Sequence, residues 1–280
     1  MRYTVIGGRP LASMSLKIDG QLPVTMEQYL DNMTRAVSNG VPEVEKYGLD
    51  KCRVALVAGG PSINQHVDTL KAWDGPVWAV NGAYRWCMDR GIDATLIAID
   101  PDRIVLKWAA GAHRAIIGST CDPAVFELLK DADLRQVRLG FGNGGIIGTS
   151  STATTVPHLA AHMGAGHVTF FGCESSFVGD SHAYQGRLNE LIAEKVHVDR
   201  DDHIIITCGG EDYLTVPDFY RQAMELAEMI REFPWFLSEE SGGLLRAMVE
   251  SKGDHHIKWI ADTFAQTMTP VAKPLAQAAD

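Results

Sequence analysis

The sequence predicts an α/β protein built on a doubly wound, mainly parallel β-sheet. Two observations carry this prediction. Short apolar segments without polar alternation recur along the chain, which is typical of strands buried on both faces of a parallel sheet. Segments with helical periodicity separate most of them, and this alternation favours a sheet covered by helices on both sides. We therefore expect a Rossmann-like core with an N-terminal helical arm and a C-terminal helical cap.

The strand candidates are the apolar segments 53–58, 76–80, 94–99, 114–117, 136–140, 167–172 and 203–208. Helices are expected between most of them, at 62–73, 82–91, 122–130 and 150–163. After residue 210 we expect no further strands, and helices at 215–232, 242–251 and 255–267. An earlier helix is expected at 25–39, because Thr25 suits an N-cap and apolar residues recur near one face. Those apolar residues are Met26, Tyr29, Leu30, Met33 and Val37.

These elements divide the chain into four parts. Residues 1–50 are the N-terminal arm and its helix, and 51–212 are the Rossmann-like nucleotide-binding core. Residues 213–269 are C-terminal helices of the same domain, and 270–280 are a flexible tail. One large α/β domain of this kind suits a chain of 280 residues with 46% hydrophobic residues.

Charge and composition argue against several classes of partner. The formal net charge of −10 argues against binding nucleic acid by neutralising its phosphates. The chain lacks an apolar run long enough to cross a membrane, and its N-terminus does not read as a secretory signal. The five cysteines are scattered singly, which predicts a reducing, cytoplasmic location. A homo-oligomer remains open.

The most informative segment is an apolar strand that stops at Gly59, Gly60, Pro61 and Ser62. The glycines let a ligand approach the backbone, and proline suits the first turn of a helix. Free N–H groups and the helix dipole then favour an anion at this turn. The same residues also suit a tight strand-to-helix turn without a ligand.

Polar residues and glycines follow the other strands as well. Since ligands bind beyond the carboxyl ends of parallel strands, we expect these residues to converge on one edge of the sheet. They are Asn81, Asp100, Asp102, Gly144, Gly145, Ser150, Ser151, Thr152 and Glu174. The hydroxyls at 150–152 predict a second phosphate-binding helix start, although plain N-capping explains them equally well.

Two further candidates carry reaction chemistry. Asp100 and Asp102 could hold Mg²⁺ or a ribose, but aspartate beside proline is also ordinary turn chemistry. His182 lies in a polar loop with Tyr184, and a histidine there is a candidate general base for a hydroxyl acceptor. A surface histidine without a role is the alternative.

Taken in order, these motifs resemble the central domain of motility accessory factor (Maf) proteins. The residues that carry the resemblance are 59–62, Asn81, 99–101, 144–151 and 171–174. That domain is similar to the archaeal 6-hydroxymethylpterin diphosphokinase MptE, and both are related in fold to bacterial sialyltransferases that use CMP-sialic acid. The segment 179–186, which contains His182, resembles the Maf branch. The chain departs from the Maf pattern at Glu174, where aspartate is usual.

The resemblance implies a transferase that moves a nonulosonic-acid-type sugar from a CMP-sugar to a hydroxyl of a protein, a glycan or a small molecule. The glycines and hydroxyls listed above, with Pro61 and Glu174, would hold the nucleotide, and Asn81 its base or sugar. His182 would deprotonate the acceptor, and Tyr184 would assist the leaving phosphate.

Two alternatives remain open. The MptE-like alternative is pyrophosphoryl transfer from ATP to 6-hydroxymethylpterin or a similar alcohol, with Mg²⁺ held by Asp100 and Asp102 and with Asp100 catalytic. The other is a nucleotide-binding module without catalysis, which would keep the glycine turns and need no base.

Overall fold

The computed structural model describes residues 5–6, 9–10, 23–140, 146, 148–177, 204–252 and 254–259. Its strands are β1 (Val5–Ile6), β2 (Arg9–Pro10), β3 (Arg53–Val57), β4 (Val77–Val80), β5 (Thr95–Ala98), β6 (Arg114–Gly118), β7 (Asp133–Val137), β8 (His167–Phe171), β9 (Ile204–Cys208), β10 (Glu211–Thr215), β11 (Leu237–Glu239) and β12 (His255–Trp259). Its α-helices are α1 (Met26–Ser38), α2 (Val67–Lys71), α3 (Ala83–Asp89), α4 (Val105–Ala109), α5 (Pro123–Leu128), α6 (Thr152–His162), α7 (Pro217–Glu232) and α8 (Gly243–Glu250).

Seven strands form one parallel sheet in the order β11-β8-β3-β4-β5-β6-β7. Every neighbouring pair in it is parallel. Helices lie on both of its faces, so the predicted α/β, doubly wound, Rossmann-like fold is confirmed. The strands expected between residues 53 and 172 all occur in this sheet, but β7 starts three residues earlier than expected.

The apolar segments lack polar alternation because the sheet is buried on both faces. In β3, Val54 and Leu56 pack into the core that α6, α7 and α8 cover. Ala55 and Val57 point to the opposite core, which α3, α4 and α5 cover. All four side chains are fully buried. Side chains alternate between the two faces of a strand, so a strand covered on both sides must be apolar throughout.

The sheet reverses its winding direction between β3 and β8. From β3 the chain adds β4, β5, β6 and β7 on one side, and it then returns to place β8 against the other side of β3. The connections that leave the two strands therefore diverge at their carboxyl ends and open a crevice, which is where doubly wound sheets bind ligands.

The prediction that strands stop after residue 210 is wrong. β10 and β12 both pair antiparallel with β9, and the three strands form a second sheet. β11 joins the edge of the parallel sheet beside β8 through only three residues. A strand this short carries too little periodicity to be recognised from the sequence, so its pairing with β8 decides its structure.

The helix predicted at 255–267 is wrong over the part that the structure describes, because β12 is a strand there. The segment 203–208 is a strand as expected, but it lies outside the parallel sheet. Its burial alternates residue by residue, as in a sheet that is covered on one face. The expected division of the chain at residue 212 falls inside β10.

Two helical segments also differ from expectation. The helix expected at 62–73 is divided into a 3₁₀ turn, Pro61–Gln65, and α2. The helix α4, which follows β5, was not identified from the sequence. The 3₁₀ turn, α2 and α4 are each five residues long. Helical periodicity cannot be recognised over so few residues.

The helix α1 occurs as predicted, and Thr25 caps it by accepting a hydrogen bond from the Gln28 N–H. Its packing face differs from the apolar stripe, since the buried residues are Asn32 and Ala36. The Asn32 amide donates to the Thr120 carbonyl at 2.9 Å. In the part of the chain that the structure describes, α1 and the other helices all fall short of the length and apolarity that a membrane crossing demands.

Candidate functional site

A cleft of about 240 Å³ opens at the carboxyl edge of the parallel sheet. The loops after β3, β4 and β8 form its walls, together with the first turn of α6 and residues from α4 and α7. We call it the switch-point cleft. Of the predicted nucleotide-binding residues, those that line it are Gly59, Gly60, Asn81, Ser151 and Thr152. The fold therefore brings together residues that are up to 93 positions apart in the chain, from Gly59 to Thr152.

The loops after β3 and β8 meet closely at the base of this cleft. The Gly60 N–H donates to the Gly172 carbonyl at 2.8 Å, which continues the pairing of the two strands beyond their ends. A Cβ on Gly60 would lie 1.5 Å from Glu174 Oε2 and 2.6 Å from that carbonyl. Only glycine fits at position 60, because any side chain would enter the space that the Glu174 carboxylate occupies.

Glu174 binds the turn that was expected to hold a phosphate. Its Oε1 accepts a hydrogen bond of 2.5 Å from the Ser62 N–H, and its side chain is 3% exposed. Burial raises the pKa of this carboxyl, while the hydrogen bond from Ser62 acts in the opposite direction. Among the described residues, Oε2 of Glu174 and Oγ of Ser62 have no hydrogen-bond partner. The anion at this helix start is therefore the protein's own carboxylate.

The first turn of α6 is held by its cap and by a second glutamate. Ser151 is the N-cap and forms a reciprocal capping box with Thr154. The preceding hydroxyl, Ser150 Oγ, donates to Glu225 Oε2 at 2.5 Å. Helix geometry leaves the first-turn N–H groups without intrahelical bonds, and two of the residues that carry them, Thr152 and Ala153, line this cleft.

Asn81 lies at the end of β4 in a left-handed backbone conformation, with φ of 50°. Its amide nitrogen is 3.4 Å from Thr152 Oγ1, so it bridges the loop after β4 to the start of α6. Its Oδ1 is buried and finds no hydrogen-bond partner within the described part of the chain. An amide held in this way can accept a hydrogen bond from a ligand in the switch-point cleft.

No family model, curated protein or solved structure matches this chain.

Asp100 and Asp102 follow β5, as expected, but they do not line the switch-point cleft. Asp100 Oδ1 accepts from the Asp102 N–H at 2.9 Å, and Asp102 Oδ1 accepts from the Ile104 N–H at 2.8 Å. These bonds are those of two successive aspartate turns. In the ranges that the structure describes, no three His, Cys, Asp or Glu side chains form a group that could hold a metal ion.

Four predicted site residues lie outside the described residues: Gly144, Gly145, His182 and Tyr184. Three others, Pro61, Ser62 and Ser150, adjoin the cleft in sequence but do not line it. Glu174 does not line the cleft either. It lies in the loop after β8 and contacts the turn at Ser62.

Sequence reasoning missed several residues that line the cleft. They are Trp108, Ser175, Ser176, Phe219 and Gln222. Trp108 is 8% exposed, and its Nε1 is buried without a hydrogen-bond partner among the residues described. Gln222 donates to Ser175 Oγ at 2.9 Å across the cleft. Phe219 and Gln222 belong to α7, whose amphipathic pattern predicts only a packed helix and contains no signal of a site.

The electrostatic character of the cleft is unusual for an anion site. The described residues on its walls include no lysine or arginine. The nearby Arg221 is bound to Glu225, with its Nε 3.3 Å from Oε1. The groups on the walls that can donate to a ligand are backbone N–H groups, side-chain amides, hydroxyls and the Trp108 indole N–H, all of them neutral.

Proposed function

We propose that the protein is a transferase that binds a nucleotide-activated donor in the switch-point cleft. The donor is a CMP-sugar, and the transferred group is a nonulosonic-acid-type sugar that passes to a hydroxyl acceptor. The observation that carries the proposal is that two neutral polar groups, the first turn of α6 and the Asn81 amide, lie side by side in the lining of the cleft. The first-turn N–H groups of α6 suit a phosphate, and the Asn81 amide, 3.4 Å from Thr152 Oγ1, suits a base or a ribose.

The size of the cleft supports a compact nucleotide. Its volume of about 240 Å³ lies below the range of ~300–1,000 Å³ that is typical of ligand pockets. A nucleoside monophosphate fits this space better than a nucleotide with an extended triphosphate. The walls also lack a cation among the described residues, which favours a donor with a single phosphate charge.

The chemistry proposed for the reaction is displacement at the anomeric carbon of the sugar. The acceptor oxygen forms a bond to that carbon while the bond from the carbon to the phosphate oxygen breaks, and CMP leaves with the electron pair. His182 takes the acceptor proton as general base, and Tyr184 donates a hydrogen bond to the leaving phosphate. N–H groups at a helix start stabilise the negative charge that develops on the phosphate.

The ATP-dependent alternative requires Mg²⁺ close to a triphosphate. Asp100 and Asp102, the expected ligands, do not line the switch-point cleft, and each uses one oxygen to hold its own turn. Two carboxylates in this arrangement do not fit a metal held inside the cleft. The geometry therefore supports the sugar-transfer proposal over pyrophosphoryl transfer.

A panel of nucleotides tests the proposal. We expect CMP to raise the melting temperature in the presence of EDTA, because a ligand that binds the folded state stabilises it by mass action. The proposal is wrong if ATP with Mg²⁺ stabilises the protein while CMP does not. In a turnover assay that measures CMP release from a CMP-sugar, His182→Ala should abolish activity and retain CMP binding, whereas the exposed His256→Ala should be active. Activity that is indifferent to His182→Ala would contradict its role as the base.

A further inference from the structure

Two buried glutamates occupy the two helix starts that the sequence marks as phosphate sites. Glu174 accepts the Ser62 N–H after β3, and Glu225 accepts Ser150 Oγ before α6. They are 3% and 6% exposed. Each glutamate is close in sequence to a residue that lines the switch-point cleft. Ser175 follows Glu174 directly, and Gln222 precedes Glu225 by one helical turn.

These glutamates engage the groups that would otherwise bind further phosphates. Glu174 engages the Ser62 N–H. Glu225 engages the Ser150 hydroxyl, the Ser150 N–H at 3.4 Å and the Arg221 guanidinium at 3.3 Å. Arg221 precedes Gln222 on α7. Its guanidinium is paired with the Glu225 carboxylate, so its positive charge is already neutralised inside the protein.

A second phosphate in the cleft would therefore find these donors engaged, and it would lie near two carboxylates, one behind Gly60 and one beside Ser150. Buried like charges repel strongly, because the protein interior screens them far less than water does. One phosphate avoids this cost, since Thr152 and Ala153 line the cleft in the first turn of α6, where backbone N–H groups have no intrahelical partner.

We infer that Glu174 and Glu225 are specificity-determining residues that limit the switch-point cleft to a ligand with one phosphate group and reject diphosphates and triphosphates. The identity of the ligand as a nucleotide rests on the proposed function. The limit to one phosphate group does not, because it depends only on the charges around the cleft. Glu225 acts by keeping Ser150 and Arg221 engaged, and Glu174 acts by keeping the turn at Ser62 engaged.

The test compares Glu225→Gln and Glu174→Gln with wild type. Glutamine retains one oxygen that can accept from Ser150 or Ser62 but removes the negative charge, so that hydrogen bond persists while the repulsion is lost. In Glu225→Gln the second acceptor, which binds Arg221, is replaced by an amide NH₂ group. Glu232→Gln is the matched control, because Glu232 is exposed on the same helix, α7, and its loss changes the net charge equally. Melting curves without ligand identify any variant that fails to fold, and the other glutamate then carries the test.

Two series of probes are titrated without Mg²⁺: CMP, CDP and CTP, and inorganic phosphate, pyrophosphate and tripolyphosphate. We expect wild type and Glu232→Gln to bind CMP about tenfold or more tightly than CTP. In Glu225→Gln and Glu174→Gln the CMP/CTP ratio should fall at least about threefold, mainly because CTP binds better. The inorganic series should show the same order.

The outcomes separate this inference from the proposed function. If CMP binds and the ratio is the same in all four proteins, the glutamates do not set the limit, and the proposed function stands. If CTP binds wild type as tightly as CMP does, the limit itself is wrong. If only the inorganic series binds and follows the expected order, the charge limit holds and the nucleotide proposal fails. Binding of none of the six probes overturns both.

Discussion

The carboxylate of Glu174 lies 2.5 Å from the backbone nitrogen of Ser62, 112 residues away in the chain, and joins the loops that follow β8 and β3. This contact is compatible only with glycine at position 60, where a Cβ would meet the same carboxylate. The turn at 59–62 therefore packs closely against the loop after β8, whether or not it also binds a ligand.

Gly60→Ala should lower the free energy of unfolding by about 1–3 kcal/mol, the usual cost of forcing extra atoms into a packed site. The new methyl group would collide with Glu174 and with the Gly172 carbonyl. Urea titration measures the change. Gly148→Ala is the control, since its Cβ would meet no heavy atom within 4 Å, and it should change stability by less than about 0.5 kcal/mol. Equal stability of the two variants would show that the close approach at Gly60 carries no constraint.

Asn81 combines a left-handed backbone with a side-chain amide at a position that lines the cleft, and two substitutions separate these roles. Asn81→Gly keeps the backbone conformation at no steric cost, so stability should change little. Asn81→Ala places a Cβ in that conformation without a compensating side chain and should cost about 1 kcal/mol. Both remove the amide and should weaken CMP binding equally, as calorimetry would measure. If Asn81→Gly binds CMP as tightly as wild type does, the Asn81 amide does not contribute to CMP binding.

Ser151→Ala should lower the unfolding free energy by about 1 kcal/mol, the typical cost of losing an N-cap. It should also weaken CMP binding, because the cap holds the first turn of α6, where Thr152 and Ala153 line the cleft. Thr25→Ala removes the equivalent cap from α1, far along the chain from the cleft, and should reduce stability alone. If both variants bind CMP like wild type, the first turn of α6 is not part of the binding site.

His158 should make the protein sensitive to mild acid. It is 1% exposed on α6, neither ring nitrogen has a partner in the described ranges, and burial lowers its pKa to about 4. An unfolded histidine titrates near 6.5, so the unfolded state binds more protons between pH 6.5 and 4. The stabilisation is therefore complete above pH 6.5 and falls as the pH drops toward 4, by up to ~1.4 kcal/mol per pH unit.

Urea titrations at pH 7, 6 and 5 measure this dependence. His158→Leu replaces the ring with an apolar side chain that does not titrate, so its stability should fall less steeply over that range. His256→Gln, at an exposed position of β12, should retain the wild-type slope. An unchanged slope in His158→Leu would assign the acid sensitivity to other groups.

The fold of the core was readable because its signals are local. In β3, Val54, Ala55, Leu56 and Val57 are all buried, and such a run is visible without knowing what packs on it. The end of the strand is equally visible, since two glycines and Pro61 interrupt the pattern. Because parallel strands share one carboxyl edge, these endings also located the cleft that Gly60, Asn81 and Thr152 line.

The sequence by itself thus determined the apolar strands, their helices and the edge at which polar residues gather. Tertiary structure alone decided that β11 and β12 are strands, because they gain their hydrogen bonds from β8 and β9. It also decided what the two helix starts bind. Glu174 and Glu225 lie far along the chain from Ser62 and Ser150, and neighbours in sequence contain no sign of which carboxylate the fold will bring to an N–H group.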